Sequence, residues 1–228
     1  MARIRGIILF IQFSITVAIT VLAMYLFRNH THKVIKIWMK IQMKLLGIKL
    51  QTQGTLDESC DLVLMNHQSL LDIIVMEHIH NRDLAWVAKK EISDLFFFGH
   101  IIKAPRMISI DRENKAGIMH LFKEVKDRLE KGRPIAMFPE GTRSDGTKML
   151  KFKAGAKMVA NKYKLRVQPV LIFNTRNIVD SKKLEASPGV VKVIYLDPIQ
   201  ADKSTSWFED TEEKMKTLFE EEIKKYDS

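Results

Sequence analysis

The chain has 228 residues, of which 46% are hydrophobic, and it carries a formal net charge of +10 at pH 7. One globular domain with an appended segment fits this length, and the basic excess suits an anionic membrane, a phosphorylated substrate or an acidic protein partner. No DNA- or RNA-binding motif accompanies the charge, so we expect no nucleic acid partner, and the single cysteine, Cys60, excludes a disulfide within the chain.

The first predicted element is an apolar helix over residues 6–27, a run without any charged side chain. About 20 such residues are enough for a helix to cross a bilayer. Arg3 and Arg5 precede the run and bulky residues end it, so we predict an uncleaved membrane anchor instead of a signal peptide. A spanning helix and a hairpin that dips into one leaflet both remain open.

A basic amphipathic helix is predicted next, over residues 33–50. Its lysines recur at spacings of three and four on one face, and its apolar residues populate the opposite side. Such a helix suits an anionic headgroup layer, although a helix packed on the domain with solvated lysines would have the same pattern. The lysines are Lys33, Lys36, Lys40 and Lys44, and the apolar residues are Val34, Ile37, Trp38, Ile41, Leu45 and Ile48.

The charge around the apolar run predicts its orientation. The cluster of Arg28 and the four lysines outweighs the two arginines in front of the run, so the positive-inside rule puts the remaining chain in the cytoplasm. We therefore divide the chain into an anchor with its amphipathic helix, residues 1–52, and a catalytic domain, residues 53–228.

From residue 61 onward, short apolar strands alternate with helical patterns. A helix is predicted over 115–131, where Gly132 would end it, and a last helix follows the capping pair Ser206 and Glu209. Strands separated by helices imply crossover connections, so we predict an α/β fold with a largely parallel central sheet flanked by helices. The predicted strands are 62–65, 85–88, 106–110, 134–138, 167–173 and 190–196.

Three polar clusters directly follow three of these strands. They are Asn66–His67, Asp111–Arg112 and Pro139–Ser144. In parallel sheets, sites form beyond the carboxyl ends of the strands, so these clusters predict a functional site at one edge of the sheet.

His67 and Asp72 are the candidate catalytic pair. Five residues rotate about 500° on a regular helix, so the two side chains meet only if His67 lies in the turn before a helix that contains Asp72. A carboxylate bonded to one ring nitrogen would leave the other nitrogen as a base, which suits activation of a substrate hydroxyl. A capping histidine beside a surface acid is the plain alternative.

The segment FPEGTRS, residues 138–144, has the composition of a phosphate-binding loop. Gly141 would permit close backbone approach, Thr142 offers a donor, and Arg143 offers a planar fork for a phosphate. Glu140 could orient Arg143 or bond a substrate hydroxyl. Arg112 adds a second arginine, and an ordinary polar loop with local ion pairs remains the alternative.

Metal and nucleotide chemistry is not expected from this sequence. Glu77, His78 and His80 lie close together, but their spacing matches no standard zinc motif. Glycine-rich nucleotide loops are absent from the sequence as well. We therefore expect neither a metal nor a bound cofactor.

Four blocks taken together resemble the ordered blocks of the glycerolipid acyltransferases, and most closely those of the bacterial 1-acylglycerol-3-phosphate acyltransferases. They are NHQSLLD (66–72), MISIDR (107–112), FPEGTRS (138–144) and Pro169 within VQPVLIF (167–173). The segments AKKE (88–91) and FKAGA (152–156) also look like family segments. Two positions depart from the family pattern, because Gln168 and Ser109 stand where apolar residues are usual.

This resemblance implies a mechanism without a metal or a bound cofactor. His67, oriented by Asp72, would deprotonate the sn-2 hydroxyl of lysophosphatidic acid, which then attacks the thioester of an acyl-carrier protein or coenzyme A. The product would be phosphatidic acid, and no acyl-enzyme would form. The chain would act on the cytoplasmic face of a bacterial inner membrane, in contact with anionic lipids.

The resemblance also implies roles for the residues that bind substrate. Arg143, Arg112 and Lys89 would hold the phosphate. The remaining expected substrate contacts are Asn66, which lies in the first block, Glu140, Gly141 and Thr142, which would shape the phosphate pocket, and Pro169, which would shape the donor or acyl side.

Other functions remain open on the sequence alone. The acceptor could be glycerol 3-phosphate or a lyso-ornithine lipid, although the latter has no phosphate to match the arginines. A membrane-bound lipid-binding protein without catalysis is a second class, and the intact His67 and Asp72 pair argues against it. A lipid or thioester hydrolase is a third, and the absence of a GxSxG motif disfavours its serine form.

Overall fold

An eight-stranded sheet forms the centre of the computed structural model, which describes residues 2–111 and 115–227. Its strands lie in the order β1-β9-β6-β2-β5-β3-β4, and β10 pairs with the start of β6. The strands are β1 (Ile48–Gln53), β2 (Leu62–Met65), β3 (Ala85–Lys89), β4 (Ile108–Ile110), β5 (Ile135–Met137), β6 (Arg166–Phe173), β9 (Gly189–Tyr195) and β10 (Ile199–Gln200), while β7 (Val179–Asp180) and β8 (Glu185–Ala186) form a separate hairpin.

The five strands from β6 to β4 are parallel to one another, and β9 and β10 run antiparallel to β6. The predicted α/β fold with a largely parallel sheet is therefore confirmed. Connections between the parallel strands run through helices. The helices are α1 (Ala2–Leu26), α2 (Thr31–Leu46), α3 (Leu71–Ile79), α4 (Lys90–Ser93), α5 (His100–Lys103), α6 (Lys115–Glu130), α7 (Ala154–Tyr163), α8 (Thr175–Ile178) and α9 (Trp207–Asp227), and a 3-10 turn covers Arg28–His30.

Helices cover both faces of the sheet and create two hydrophobic cores. On one face, α6, α7 and α9 pack through residues such as Val125, Val159 and Phe219. On the other face, α1, α2 and α3 pack through residues such as Met24 and Trp38. The predicted helix over 115–131 ends at Glu130, and Gly132 follows in the left-handed conformation with φ of 70°.

Three predicted elements are longer than the observed ones. The strand predicted over 134–138 covers only Ile135–Met137. The amphipathic helix predicted over 33–50 ends at Leu46, because Gly47 adopts the left-handed conformation and its N–H caps the carbonyl of Lys44. Ile48 then begins β1 and pairs with β9, so it does not share the helix face. The strand predicted over 106–110 begins only at Ile108, because Arg106 has a φ of 55°, which no strand permits.

Helix α2 packs on the domain with one face, and its contact with a headgroup layer stays a prediction. Trp38 and Met39 are buried against the body, whereas Ile37 and Ile41 are exposed on the other side. Lys36 is not simply solvated, because its ammonium donates to the backbone carbonyls of Glu77 and His80. The exposed lysines of the predicted set are Lys33, Lys40 and Lys44.

Helix α1 is long and apolar enough to cross a membrane over Arg3–Leu26, yet it packs along the body of the protein. Met24 is buried at 1% exposure. Near one end, the Arg5 guanidinium donates to the Leu46 carbonyl at 3.0 Å, and near the other the Tyr25 hydroxyl lies 2.7 Å from Nδ1 of His100. The division of the chain at residue 52 stays a prediction, since β1 continues across that position as part of the sheet.

Candidate functional site

The carboxyl ends of β2 and β5 bring two of the predicted polar clusters together. The strands are neighbours and parallel, so the loops that follow them meet at one edge of the sheet. The Ser144 N–H donates to the His67 carbonyl at 2.8 Å. Asp111, at the end of β4, lines the same cavity as Pro139 and Gly141, so the third cluster reaches this edge too.

His67 and Asp72 are in direct contact in the arrangement that their spacing requires. His67 lies in the turn before α3, and Asp72 is the second residue of that helix. Nδ1 of His67 is 2.7 Å from Oδ2 of Asp72. An ionised carboxylate only accepts hydrogen bonds, so a neutral His67 ring paired with it has its proton on Nδ1 and its lone pair on Nε2.

Asp72 is fully buried and held by further donors. The backbone N–H groups of Gln68 and Ser69 donate to the same oxygen, Oδ2, at 2.7 and 2.9 Å. The hydroxyl of Thr175 donates to the other oxygen, Oδ1. Thr175 lies at the start of α8, after Asn174 in the left-handed conformation, and the sequence pattern around it did not predict this contact.

Phe138 stacks on one face of the His67 ring and restricts its movement. The two rings stack with centroids 3.8 Å apart and an angle of 10° between their planes. Trp86 also contacts Phe138, with its ring centroid 5.4 Å from that of Phe138. The sequence analysis treated Phe138 as the end of a strand and missed this role, which only the packing of β2 beside β5 creates.

Glu140 clamps the two site loops together. Its Oε1 accepts the His67 N–H at 2.7 Å, and its Oε2 accepts the Leu150 N–H at 2.6 Å. Burial raises the pKa of this carboxyl to about 7, although the two N–H groups act in the opposite direction. Both oxygens of Glu140 thus bond to backbone amides, and its orientation of Arg143 or of a substrate hydroxyl stays a prediction.

The predicted phosphate-binding residues differ in how freely they face solvent. Arg143 is exposed, and its Nη1 donates to the Ser181 hydroxyl at 3.3 Å. Thr142 is exposed beside it, and Gly141 has a φ of 71°, which permits the sharp turn. Lys89 is half-exposed and pairs with Glu91 at 2.7 Å, and Arg112 lies outside the described residues.

Asn66 and Pro169 are buried in the sheet. The side-chain amide of Asn66 donates to the Ile172 carbonyl at 2.8 Å and accepts the Ile172 N–H at 2.7 Å, which joins β2 to β6. This bonding favours a scaffolding role over the predicted substrate contact of Asn66. Pro169 is paired with Leu64 in the same pair of strands, and its contact with substrate stays a prediction.

The two unusual residues of the sequence pattern have structural partners. Gln168 is buried, accepts the Asp57 N–H at 2.8 Å and donates to the carbonyls of Thr55 and Leu196. It therefore holds the segment before β2 against β6. Ser109 hydrogen-bonds to the Ser93 hydroxyl at 2.9 Å, which connects β4 to α4.

An apolar cavity of about 390 Å³ lies beside the stacked rings. Phe138 forms part of its wall, so one aromatic ring contacts both the cavity and the His67 ring. Its volume is within the range of pockets that bind small molecules, roughly 300–1,000 Å³. The other lining residues are Val87, Ile110, Asp111, Ile118, Leu121, Met137, Pro139, Gly141, Lys153, Gly155, Ala156 and Met158.

The segment Glu77–His80, at the end of α3, contacts α2 through the bonds from Lys36 to its backbone carbonyls. Glu77 is buried and accepts the indole N–H of Trp86 at 2.6 Å, and burial raises the pKa of its carboxyl. His80 is buried too, and burial lowers the pKa of its imidazole to about 4. Within residues 2–111 and 115–227, no group of three or more His, Cys, Asp or Glu side chains is arranged to hold a metal ion.

Comparisons with known proteins agree on one family. The acyltransferase family model matches residues 48–173, which is more than half of the chain. A 1-acyl-sn-glycerol-3-phosphate acyltransferase from Helicobacter pylori is 42% identical over 75% of this chain and 73% of its own length. A lyso-ornithine lipid O-acyltransferase from Brucella abortus is 33% identical over 60% of this chain and 54% of its own. The crystal structure of the 1-acyl-sn-glycerophosphate acyltransferase from Thermotoga maritima covers 97% of both chains with a TM-score of 0.76 at 25% identity.

Proposed function

Because the chain belongs to the acyltransferase family, we propose that it transfers an acyl chain to the sn-2 hydroxyl of lysophosphatidic acid and forms phosphatidic acid. The Helicobacter pylori relative carries this activity in its name, and it aligns with three quarters of the chain. The single observation that carries the chemistry is the contact between His67 and Asp72, which leaves Nε2 of the imidazole as a base.

In the proposed reaction, Nε2 of His67 accepts the proton of the acceptor hydroxyl as its oxygen attacks the thioester carbonyl. A carbon–oxygen bond forms, the carbon–sulfur bond breaks, and the proton passes from the imidazole to the departing thiolate. The carboxylate of Asp72 stabilises the imidazolium between these two events. The chain needs no nucleophile of its own, since the acceptor supplies the attacking oxygen.

The acyl donor in this proposal is a thioester of coenzyme A or of an acyl-carrier protein. Both carriers are acidic, and the exposed cations near the site suit them. We assign the apolar cavity to the acyl chain of the donor, because its wall includes the Phe138 ring that stacks on His67. Lys153, which the sequence analysis did not single out, lines this cavity and adds a cation to it.

Arg143 is the proposed principal ligand of the acceptor phosphate. Its guanidinium is exposed near the dyad loop and can present two parallel donors to phosphate oxygens. Lys89 and Arg112 remain proposed helpers, and Gly141 and Thr142 shape the turn that carries Arg143. Glu140 contributes indirectly, because it holds the backbone of His67.

Membrane association follows from the apolar helix α1, and we propose that α1 and α2 dip into one leaflet. Contacts of α1 with the body at Arg5 and at Tyr25 support this over a spanning helix, because both ends of α1 stay beside the same domain. Its outward isoleucines then meet lipid, and the exposed lysines of α2 meet anionic headgroups. The excess of cations after α1 supports the cytoplasmic face.

A lyso-ornithine lipid is the second candidate acceptor, since the Brucella abortus relative carries that name at 33% identity. This lipid has no phosphate, so the exposed fork of Arg143 would lack its natural partner. We therefore rank it below lysophosphatidic acid.

A product assay in detergent tests the proposed function. Lysophosphatidic acid or lyso-ornithine lipid is offered with labelled acyl-coenzyme A or acyl-carrier protein to the parent, to His67→Ala and to His120→Ala. His120 is exposed on α6 and provides a matched control. We expect labelled phosphatidic acid from the parent and from His120→Ala, and a loss of 10²-fold or more in His67→Ala. Equal rates in all three proteins would refute the assignment of the base.

A further inference from the structure

The turn between α4 and α5 exposes an unusual concentration of large apolar side chains. Phe96 is 98% exposed, Leu95 is 50% exposed, and Phe97 and Phe98 are 39% and 38% exposed. Ile92, on α4, adds a fifth apolar side chain that is 44% exposed. Exposed patches of this kind on a folded protein mark a surface that contacts a partner or a membrane.

The backbone of this aromatic turn, Leu95–Phe98, is fixed by hydrogen bonds and by a glycine that follows it. The N–H of Gly99 donates to the Leu95 carbonyl at 2.9 Å, and that of His100 donates to the Phe97 carbonyl at 3.2 Å. A Cβ atom at Gly99 would lie 2.1 Å from the Ser93 carbonyl oxygen, so only glycine lets the chain close this turn. The aromatic side chains are therefore held outward by the backbone beneath them.

The aromatic turn lies next to the end of α1. Tyr25 of α1 is hydrogen-bonded to His100, the residue after Gly99, and their rings meet edge to face with centroids 5.6 Å apart. Leu22 and Leu26, on the same end of α1, are 61% and 70% exposed. The apolar outer surface of α1 therefore reaches the neighbourhood of the aromatic turn.

Cations flank the aromatic turn on both sides along the chain. Lys89 and Lys90 precede it and Lys103 follows it, and all three are exposed. Lys89 pairs with Glu91 and Lys90 with Asp111, and Asp94 lies directly before the turn. Aromatic side chains flanked by lysines are the composition that enters the headgroup region of an anionic bilayer. A protein partner is less well matched, because the patch adjoins a helix that is itself apolar enough for lipid.

We propose that Leu95–Phe98 is a second membrane contact, which inserts its aromatic side chains into an anionic bilayer beside α1. This inference rests on the membrane association of α1 and not on the acyl transfer. The turn follows β3, whose end borders the cavity through Val87, so an inserted turn holds the membrane surface close to the site. The contact would bring a lipid acceptor near His67 without its leaving the interface.

A fluorescent label at position 96 tests the contact. The protein offers a clean background, because its only cysteine, Cys60, is buried and burial raises the pKa of the thiol to about 11. Phe96→Cys is labelled with a nitrobenzoxadiazole dye and reconstituted into vesicles of phosphatidylglycerol and phosphatidylcholine. Ile15→Cys, on the exposed side of α1, and Met119→Cys, exposed on α6, are the lipid and water references.

Quenching by aqueous iodide and by spin-labelled lipid reports where each dye lies. We expect the dye at position 96 to be shielded from iodide and quenched by the lipid, as at position 15, while the dye at position 119 shows the reverse. A dye at 96 that is quenched by iodide as strongly as at 119 would overturn the proposal. Iodide quenching at both 15 and 96 would overturn the membrane attachment itself and this inference with it.

The fluorescence test is independent of the proposed reaction, because it has no catalytic readout. The side chain of Phe96 is almost fully exposed, so its replacement removes little packing from the folded protein. Circular dichroism of the unlabelled Phe96→Cys protein should match that of the parent. A protein that fails the product assay yet shields the dye at 96 would refute the proposed function and leave the membrane contact standing.

Discussion

The hydroxyl of Thr175 donates a hydrogen bond to the carboxylate of Asp72, although the two residues belong to different connections between strands of the sheet. Both side chains are fully buried. Because Oδ2 of Asp72 already accepts the proton of His67, the bond at Oδ1 fixes the rotation of the carboxylate. The orientation of the His67 ring therefore depends on a residue that does not touch it.

We predict that Thr175→Val lowers kcat by roughly ten- to hundredfold with little change in KM, since a buried acceptor loses its donor at a cost of about 1–3 kcal/mol. Thr175→Ser keeps the hydroxyl and should restore most of the activity, while Thr217→Val, exposed on α9, should match the parent. An unchanged kcat in Thr175→Val would contradict this role.

The raised pKa of Glu140 predicts a pH-dependent stability. Its pKa is about 7 in the folded protein against an ordinary value of 4.5, so the folded state binds the proton more tightly. Stability from this group is thus fully present below about pH 4.5 and is lost as the pH rises to about 7, by about 3 kcal/mol in total. The Tm of the parent minus that of Glu140→Gln should fall between pH 5 and pH 7.5 and then level off.

Glu213→Gln, on the exposed side of α9, provides the control for this measurement. Its Tm difference from the parent should not change with pH in the same way. A Tm difference for Glu140→Gln that stays constant from pH 5 to pH 8 would mean that the carboxyl does not titrate in that window.

Substitutions at Gly155 test whether the acyl chain binds in the cavity. It lines the cavity, and a Cβ atom built on it would meet no other atom within 4 Å. Gly155→Ala should therefore leave folding and chain-length preference nearly unchanged. Gly155→Leu should fill part of the cavity and shift the preferred donor to a shorter acyl chain, as measured by competition between donors of graded length. Identical preferences in Gly155→Leu and the parent would show that the acyl chain binds elsewhere.

Arg143 should act on the binding of the acceptor more than on the chemical step. We predict that Arg143→Ala raises KM for lysophosphatidic acid by about ten- to hundredfold, because a charge-assisted hydrogen bond contributes about 1.5–3 kcal/mol. Arg143→Lys should recover only part of this, since lysine keeps the charge and loses the planar fork. Lys203→Ala, an exposed cation before α9, tests for a general effect of charge. A KM for Arg143→Ala equal to that of the parent would remove Arg143 from the phosphate site.

The sequence predicted the strands of the parallel sheet and the approach of His67 to Asp72, because both depend on local patterns. Apolar runs of strand length locate the buried strands. The five-residue spacing itself demanded a turn followed by a helix. The end of α2 at Leu46 could have been predicted too, because Gly47 is the usual left-handed cap and a strand-like segment follows it.

The contacts of Thr175 and Phe138 could not have been predicted in the same way. Neither residue has a local pattern that distinguishes it, and each reaches the dyad only through the order of the strands. Phe138 stacks on His67 because β5 lies beside β2, and Thr175 reaches Asp72 because β6 lies on the other side of β2. The clamp by Glu140 also depends on that order, since the His67 N–H reaches its carboxylate from the loop after the neighbouring strand β2.

The burial of Met24 and Trp38 has a practical consequence for anyone who wants a water-soluble catalytic fragment. Both side chains pack into the same core as Val63 and Met65 of the central strand β2, which leads directly to His67. Removal of residues 1–46 would expose that core and leave a partly unfolded fragment that is prone to aggregation. A better route to a soluble enzyme is to replace exposed apolar residues of α1 with polar ones, starting at Ile11 and Ile15. The buried residues of α1 should be kept, because they form part of the core.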